Sequence, residues 1–434
     1  MTTNQALHAV IVGNGVTGFT AALRLRGLRP GWRITMLSGE STFPFSRPAL
    51  MYVFLGHMRY QDTKPYEDHV WRDQRIELVR DWVTRIDTSK KQLTLSASAE
   101  LSYDRLLIAT GSRPNKFGWP GQDLDGVQGF YSLADLKRLY DVMPRTRRAV
   151  IVGGGLIGIE LAEMLHSRAI PVTLLVRERS YWDNVLPAEE SAIVNRLIRR
   201  VGMDLRLETS MKEVLDDGHG RACAVVTDKG ERIACELVGL TAGVSPNVEL
   251  AKRSDIPVAR GVLVDRTLRA RAPDIWAAGD CAEILGKEGE RPLLQQVWYT
   301  GKMQGEVAAD GMAGADRTYD PGIWYNSAKF LDLEYQTYGR VNLKVPGERS
   351  VYWERADGRA SLRIVYTDAG VIGFNSMGLR LRHEVCERWI REQTPLALVL
   401  ERLGQANFDP EFFVRHEPEI ARVLEKQMES VTTN

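Results

Sequence analysis

An α/β fold with two Rossmann-like dinucleotide-binding domains, followed from about Pro321 by a part of different character, is the architecture that the sequence predicts. The pattern G-x-G-x-x-G occurs twice, as Gly13-Asn14-Gly15-Val16-Thr17-Gly18 and as Gly153-Gly154-Gly155-Leu156-Ile157-Gly158, starting 140 residues apart. Each copy follows a short apolar run and opens a helical stretch, the context that separates a phosphate-cradling turn from glycines that only shape a loop. Each is later followed by an apolar strand ending in a glycine turn, Ala109-Thr110-Gly111 and Thr241-Ala242-Gly243.

The elements follow in order. His8–Val12 reads as a buried parallel strand, and Phe19–Leu28 as a helix whose N-terminus faces a phosphate. Arg33–Leu37 is the second strand, and Glu40 lies 22 residues beyond Gly18, near where a ribose-binding acid is expected. Tyr103–Ile108 forms an apolar strand leading into Ala109 to Pro114. The second unit repeats the order: strand Arg148–Val152, helix Ile159–Ser167, strand Pro171–Val176 and a closing strand at Leu237–Gly243. Asp274–Asp280 is a further strand ending in a carboxylate.

Composition limits the function classes. The length of 434 residues allows about three domains. A formal charge of +1 gives no overall pull toward nucleic acid or a membrane surface. Arginine clusters at 145–148 and 196–200 read as solvated surface. No stretch is long and apolar enough to span a bilayer, and a strand starting by His8 leaves no room for a signal peptide, so a cytoplasmic location is expected. Cys223, Cys235, Cys281 and Cys386 show neither C-x-x-C nor metal-type spacing with histidine, and read as structural thiols. No metal site is expected.

With these motifs in family order, the chain resembles the pyridine nucleotide-disulfide oxidoreductase superfamily of two-dinucleotide flavoproteins over nearly its whole length. The resemblance implies an FAD domain in two parts, 1–117 and 247–320, an inserted NAD(P)H domain at 118–246, and a C-terminal α+β interface domain at 321–434. Asn326 to Glu334 with Thr337-Tyr338-Gly339 is similar to the opening of that last domain. Arg363–Phe374 is similar to its central hairpin, with Asp368-Ala369-Gly370 as turn chemistry, and a helix is expected over about Arg382–Glu392. By the same resemblance the chain is a homodimer through this domain.

Site residues are implied likewise. Gly13, Gly15, Val16, Thr17 and Gly18 would cradle the FAD pyrophosphate, Glu40 would hold the adenosine ribose, and Asp280 the ribityl and pyrophosphate region. Arg47, Pro48, Val83, Ala109, Thr110, Gly111, Arg113, Val297 and Trp298 are further expected FAD contacts, with a helix beginning in Leu293–Gly301 aimed at the flavin pyrimidine. Gly153, Gly155, Leu156, Ile157, Gly158, Glu160, Arg177, Arg179 and Gly243 are assigned to NAD(P)H. The strand before Arg177 lacks a terminal acid, and arginines there suit a 2′-phosphate, which points to NADPH; Glu178 as a displaced acid, or a solvated turn, is the alternative.

Phe43-Pro44-Phe45-Ser46-Arg47-Pro48-Ala49-Leu50-Met51-Tyr52 resembles the P-Y-x-R-P-P-L-S-K stretch of the ferredoxin-reductase and apoptosis-inducing-factor branch. Tyr52 stands where that branch has a lysine, and Glu160 holds the place of the glutamate which pairs with it. Tyr52 and Glu160 are therefore the candidate catalytic pair, the alternatives being a core aromatic and an acid complementing a helix N-terminus. No cysteine precedes Cys223, so no thiolate is available for disulfide or peroxide chemistry at the flavin. The expected reaction is hydride transfer from NAD(P)H to FAD, then electron delivery to an external acceptor: a small iron-sulfur or rubredoxin-like protein first, with quinones, small oxidants and dioxygen open. The competing reading is a flavoprotein whose redox-controlled dimerisation, rather than turnover, is its output.

Overall fold

The computed structural model describes residues 6–286, 291–342, 345–408, 411 and 415–432. The chain forms two compact units, one of Met1–Phe117, Gly129–Pro144 and Gly243–Pro321, the other of Gly118–Gln128, Arg145–Ala242 and Gly322–Asn434. Residues 129–144, within the span expected for the inserted domain, thus cluster with the first unit.

In the first unit five parallel strands lie in the order Ile275–Ala277, Arg105–Ile108, His8–Val12, Arg33–Leu37 and Ile76–Val79. All five are short, and the inner ones are largely apolar and buried, whereas the edge strand Ile76–Val79 carries the exposed Glu77. The helix after the first strand runs Val16–Leu28, three residues earlier than expected, since Gly15 already caps it within the glycine loop. Its neighbour, Trp298–Met312, packs alongside it. This second helix starts later than the sequence suggests, because Leu293 still pairs with Ile284 in an extended bridge. Asp280 lies not on the strand but in a single 3-10 turn, Gly279–Cys281, just beyond it.

The second unit repeats the plan in its dinucleotide-binding part, with parallel order Asp204–Arg206, Val172–Leu175, Ala149–Val152, Leu237–Leu240 and Val127–Gln128. Helix Leu156–His166 crosses from the strand Ala149–Val152, and helix Ala188–Arg200 follows later. The C-terminal part is a five-stranded antiparallel sheet in the order Tyr325–Phe330, Leu333–Gly339, Gly370–Met377, Ser361–Thr367 and Arg349–Glu354. Thr367 pairs with Gly370 across the Asp368-Ala369 turn, as the turn residues suggest. Helix His383–Arg391 then packs on this sheet.

A buried ion pair ties helix Ala188–Arg200 to that sheet. Arg363 donates to Glu190 at 2.8 and 2.9 Å and to Glu189 at 2.6 Å, and Asn375 donates to Glu190 at 3.1 Å. The Glu190 side chain is fully buried and that of Arg363 is 8% exposed, so either charge left alone would be desolvated and uncompensated. Arg363→Met is expected to lower stability by roughly 3–5 kcal/mol. Arg349→Ala, which breaks a pair with the 95%-exposed Asp368, should cost under ~1 kcal/mol. Denaturant unfolding of the two variants measures the contrast, and equal losses would refute it.

Candidate functional site

The first glycine loop is shaped by three different constraints. Gly13 has φ +115°, and a Cβ there would sit 2.1 Å from the Ala109 carbonyl oxygen. A Cβ on Gly18 would meet the Gly13 carbonyl at 1.9 Å, so helix and turn touch backbone to backbone. Gly15 faces open space, with nothing within 4 Å of the position where a side chain would start. The loop therefore has a closed side that fixes the turn and an open side that admits a ligand. Helix Val16–Leu28 begins there without a side-chain cap and without an acid in its first turn. Its N-terminal N–H groups and dipole are left for an anion.

Around this cradle the helix Trp298–Met312 and the 3-10 turn Gly279–Cys281 approach so closely that Gly279, Gly301 and Gly305 all abut Thr17, with Cβ positions 2.3, 3.0 and 2.5 Å from its atoms. Asp280, half-buried beside them, accepts from the Ser112 hydroxyl at 2.9 Å. Ser112 in turn accepts from Gln296 at 2.7 Å and donates its N–H to the Tyr131 hydroxyl at 3.1 Å. Burial raises the Asp280 carboxyl pKa, opposed by Ser112 and by the positive charge of Arg47. A carboxylate held this way is a strong acceptor for hydroxyl groups of a ligand on the open side.

Glu40 and Arg47 form a bidentate pair at 2.7 and 3.2 Å, and Glu40 also accepts the N–H of Leu133 at 2.9 Å. Arg47 donates to the Tyr131 carbonyl at 2.6 Å and lies over the Tyr131 ring, 4.4 Å from its centroid. The expected ribose acid is thus already engaged within the protein, although a carboxylate has about four acceptor positions and retains capacity for a further donor. Pro48 is the second residue of the 3-10 turn Arg47–Ala49, and Val83 begins the strand Val83–Asp87. Thr110 donates to the Asn247 carbonyl at 2.7 Å, Gly111 has φ +69°, and Arg113 pairs with Glu249 at 3.1 Å. Val297 caps the helix that Trp298 opens, and Trp298 is 41% exposed, which excludes a core role for it. Tyr52 is half-buried on helix Leu50–Leu55, its ring stacked on His57.

Sequence reasoning missed the polar residues that hold this arrangement. Tyr131, Ser112, Gln296 and Asn14, which donates to Ser41 at 2.9 and 3.1 Å, lie far apart in sequence and carry no spacing signature. Trp82 was also overlooked: its ring lies against Gly39, where a Cβ would come within 2.1 Å of the indole, yet 60% of the residue is exposed.

The second loop repeats the first within its own unit. Gly153 has φ +128° and its Cβ position lies 2.5 Å from the Thr241 carbonyl. Gly155 is open, and Gly158 is hemmed in by the Gly153 carbonyl at 2.7 Å. Leu156 and Ile157 start helix Leu156–His166, again without a capping side chain or an acid in the first turn. Tyr181 is fully buried and donates to the Gly155 carbonyl at 2.8 Å, fixing the loop from behind. Glu160 is half-buried on this helix. Burial, and then repulsion from Glu163, push its carboxyl pKa up to about 7 against the pull of Lys329. Arg177 donates to Glu178 at 2.9 Å, and the Arg177 and Arg179 side chains are 82% and 90% exposed. Gly243, at φ +84°, closes the turn after the strand Leu237–Leu240.

The thiols lie elsewhere in character. Cys281 is fully buried and faces the carbonyls of Ile108 and Ala278 at 3.4 Å, and burial raises its pKa. Burial likewise pushes Cys235 up to about 12. Both are core residues in un-ionised form.

The closed and open sides of the first loop separate folding from binding. Gly13→Ala forces a side chain into a backbone carbonyl at positive φ and is expected to cost at least ~1–3 kcal/mol. Gly15→Ala should leave unliganded stability within ~0.5 kcal/mol but weaken binding of a dinucleotide, because its methyl fills the open face. Unfolding midpoints and dinucleotide content per chain distinguish the two, and a dinucleotide retained by Gly15→Ala would remove the cradle.

Comparison with known proteins agrees with this geometry. Residues 7–307 match the family described as pyridine nucleotide-disulphide oxidoreductase. The ferredoxin–NAD(+) reductase component of the biphenyl dioxygenase system of Paraburkholderia xenovorans is 32% identical over 304 residues, 70% of this chain and 74% of the relative. The corresponding benzene 1,2-dioxygenase system subunit of Pseudomonas putida is 30% identical over 314 residues, covering 72% and 76%. The crystal structure of the ferredoxin reductase for the CYP199A2 system of Rhodopseudomonas palustris superposes with a TM-score of 0.78 at 26% identity, covering 86% of this chain and 91% of that one. Among the described residues no helix is long and apolar enough to cross a membrane. Two glycine cradles of one geometry on two parallel sheets, within a family match that spans both, identify the chain as a member of the pyridine nucleotide-disulphide oxidoreductase family, an oxidoreductase that uses FAD and a nicotinamide dinucleotide.

Proposed function

We propose that the chain is an FAD-dependent NAD(P)H:acceptor reductase that delivers electrons to a small iron-sulfur protein of the ferredoxin type, without a redox-active disulfide. The observation that carries this reading is the repeated loop geometry combined with the lack of any cysteine before Cys223. Relatives named as ferredoxin reductase components support the choice of acceptor. The cytoplasm is the expected location, and a homodimer through the C-terminal domain belongs to the same proposal.

When bound, FAD and the nicotinamide dinucleotide supply the hydride chemistry itself. The first loop and Asp280 bind and orient one dinucleotide, and the second loop binds the other. Glu160 and Tyr52 are the proposed catalytic residues. Ionised Glu160 presents negative charge to a nicotinamide ring, favouring its cationic oxidised form; protonated Glu160 does not. Because this carboxyl is raised to about 7, the ionised form grows as pH rises through that value. NAD(P)+ affinity is therefore expected to strengthen between about pH 6 and 8, and Glu160→Gln should flatten the profile in titration calorimetry. A profile unchanged by the substitution would remove Glu160 from the site.

For the nicotinamide dinucleotide we propose NADPH over NADH. Arg177 and Arg179 project almost fully into solvent directly after the strand Val172–Leu175, where a 2′-phosphate can accept from them. Relatives are named for NAD(+), and Glu178 is the acid that would serve NADH, so direct competition decides. Stopped-flow flavin reduction should favour NADPH by roughly tenfold, about 1.4 kcal/mol, and Arg177→Ala should abolish the preference. An NADH preference untouched by Arg177→Ala rejects the arginine assignment.

Steady-state turnover with NAD(P)H and an acceptor panel tests the main reading. Fast turnover with a ferredoxin-type protein is expected, and flavin reduction that no iron-sulfur acceptor reoxidises would overturn it.

A further inference from the structure

The strand that opens the C-terminal domain brings a lysine to the helix of the second glycine loop. Lys329, on Tyr325–Phe330, places Nζ 2.8 Å from Glu163 Oε1, and the two side chains are only 28% and 19% exposed. Glu163 is three residues beyond Glu160 on helix Leu156–His166, so the two carboxylates share a face. Directly across its own hairpin Lys329 faces Glu334, but Glu334 is held by the guanidinium of Arg380.

The position of the strand is fixed by an unusual turn. Tyr181 reaches under the glycine loop to the Gly155 carbonyl, while the next residue, Trp182, adopts φ +58°, a conformation rare for a bulky side chain. That reversal sends the Trp182 ring against Phe330 and Tyr335, each 5.7 Å away between centroids. One strained turn thus braces both the loop and the strand end next to Lys329.

We propose that Lys329 is a positioning residue that supplies the counter-charge to the Glu160–Glu163 pair, so that the C-terminal domain governs whether Glu160 holds its proton. The proposal rests on the assignment of Glu160 to the nicotinamide site made above. The sheet strands beneath the helix, Ala149–Val152, Val172–Leu175 and Leu237–Leu240, carry no charged side chain. Within this unit the groups acting on Glu160 are Glu163 from its own helix, Lys329 from the strand, and the neutral phenol of Tyr181 from the loop. Two acids on one partly buried face repel each other, and a single ammonium between helix and strand is the compensating charge.

The test follows the carboxyl group directly rather than turnover. In infrared pH titrations of the full-length, flavin-loaded protein, the protonated-carboxyl band lost in Glu160→Gln reports Glu160, with an expected midpoint of about 7. Lys329→Met should move that midpoint upward by about one pH unit, a tenfold change in the ionisation equilibrium. Lys329→Arg should leave it in place, and Glu163→Gln should move it downward, because the repelling charge is gone while the ammonium stays. A midpoint unmoved or lowered in Lys329→Met overturns the proposal. Should Lys329→Met not fold, judged by flavin content and circular dichroism, Lys329→Gln decides in its place, and an unmoved or lowered midpoint overturns the proposal. If the midpoints shift as stated while NAD(P)+ affinity ignores them, the role given to Lys329 stands and that given to Glu160 falls.

Discussion

Direct contact of backbone with backbone at the turn from strand to helix is the constraint on which the molecule depends. At Gly13 and Gly18, and again at Gly153 and Gly158, a single added carbon would overlap a carbonyl oxygen. Only that closeness lets the helix start immediately above the end of the central strand, with its unpaired N–H groups aimed past the open Gly15 or Gly155. The parallel sheets, their short strands and the flanking helices are arranged to hold these turns, and the same contact recurs where Gly305 meets the Thr17 carbonyl, while Gly279 and Gly301 press on the Thr17 side chain.

Charge is used differently in the core and near the ligand-binding loops. Glu190 and Arg363 are sealed from water and satisfy each other, so their contribution is to fix how sheet and helix meet. Asp280 and Glu160 are only half-buried and only partly neutralised. Such groups keep the capacity to respond to what binds, which a fully paired ion would lack.

The parts of the fold that could be read from the sequence were those with local periodicity. Both glycine loops, their strands, and the hairpin turn at Asp368-Ala369 lie within a few residues of where patterning puts them, because each depends on neighbours in sequence. The start of the helix at Trp298 and the 3-10 turn at Asp280 were misjudged, since a bridge from Leu293 to Ile284 and the contacts of residue 279 are made by distant segments. The supporting polar network fared worst. Tyr131 meets Arg47, Ser112 meets Gln296, and Lys329 meets Glu163 only after folding, and no spacing rule anticipates such pairs. Glu40 shows the limit in the other direction: its position was anticipated, but its pairing with Arg47 and the N–H of Leu133 was not.

Two helices that begin without an acid or a capping side chain have a consequence for the energetics of the whole chain. Unfilled, each holds a cluster of partial positive charge with nothing to offset it, and the native state is correspondingly less favoured. A dinucleotide phosphate that binds the native form alone would by mass action add about 1.4 kcal/mol to the free energy of unfolding for every tenfold rise in its free concentration above saturation. Cofactor supply and the lifetime of the folded protein are in this way coupled quantities.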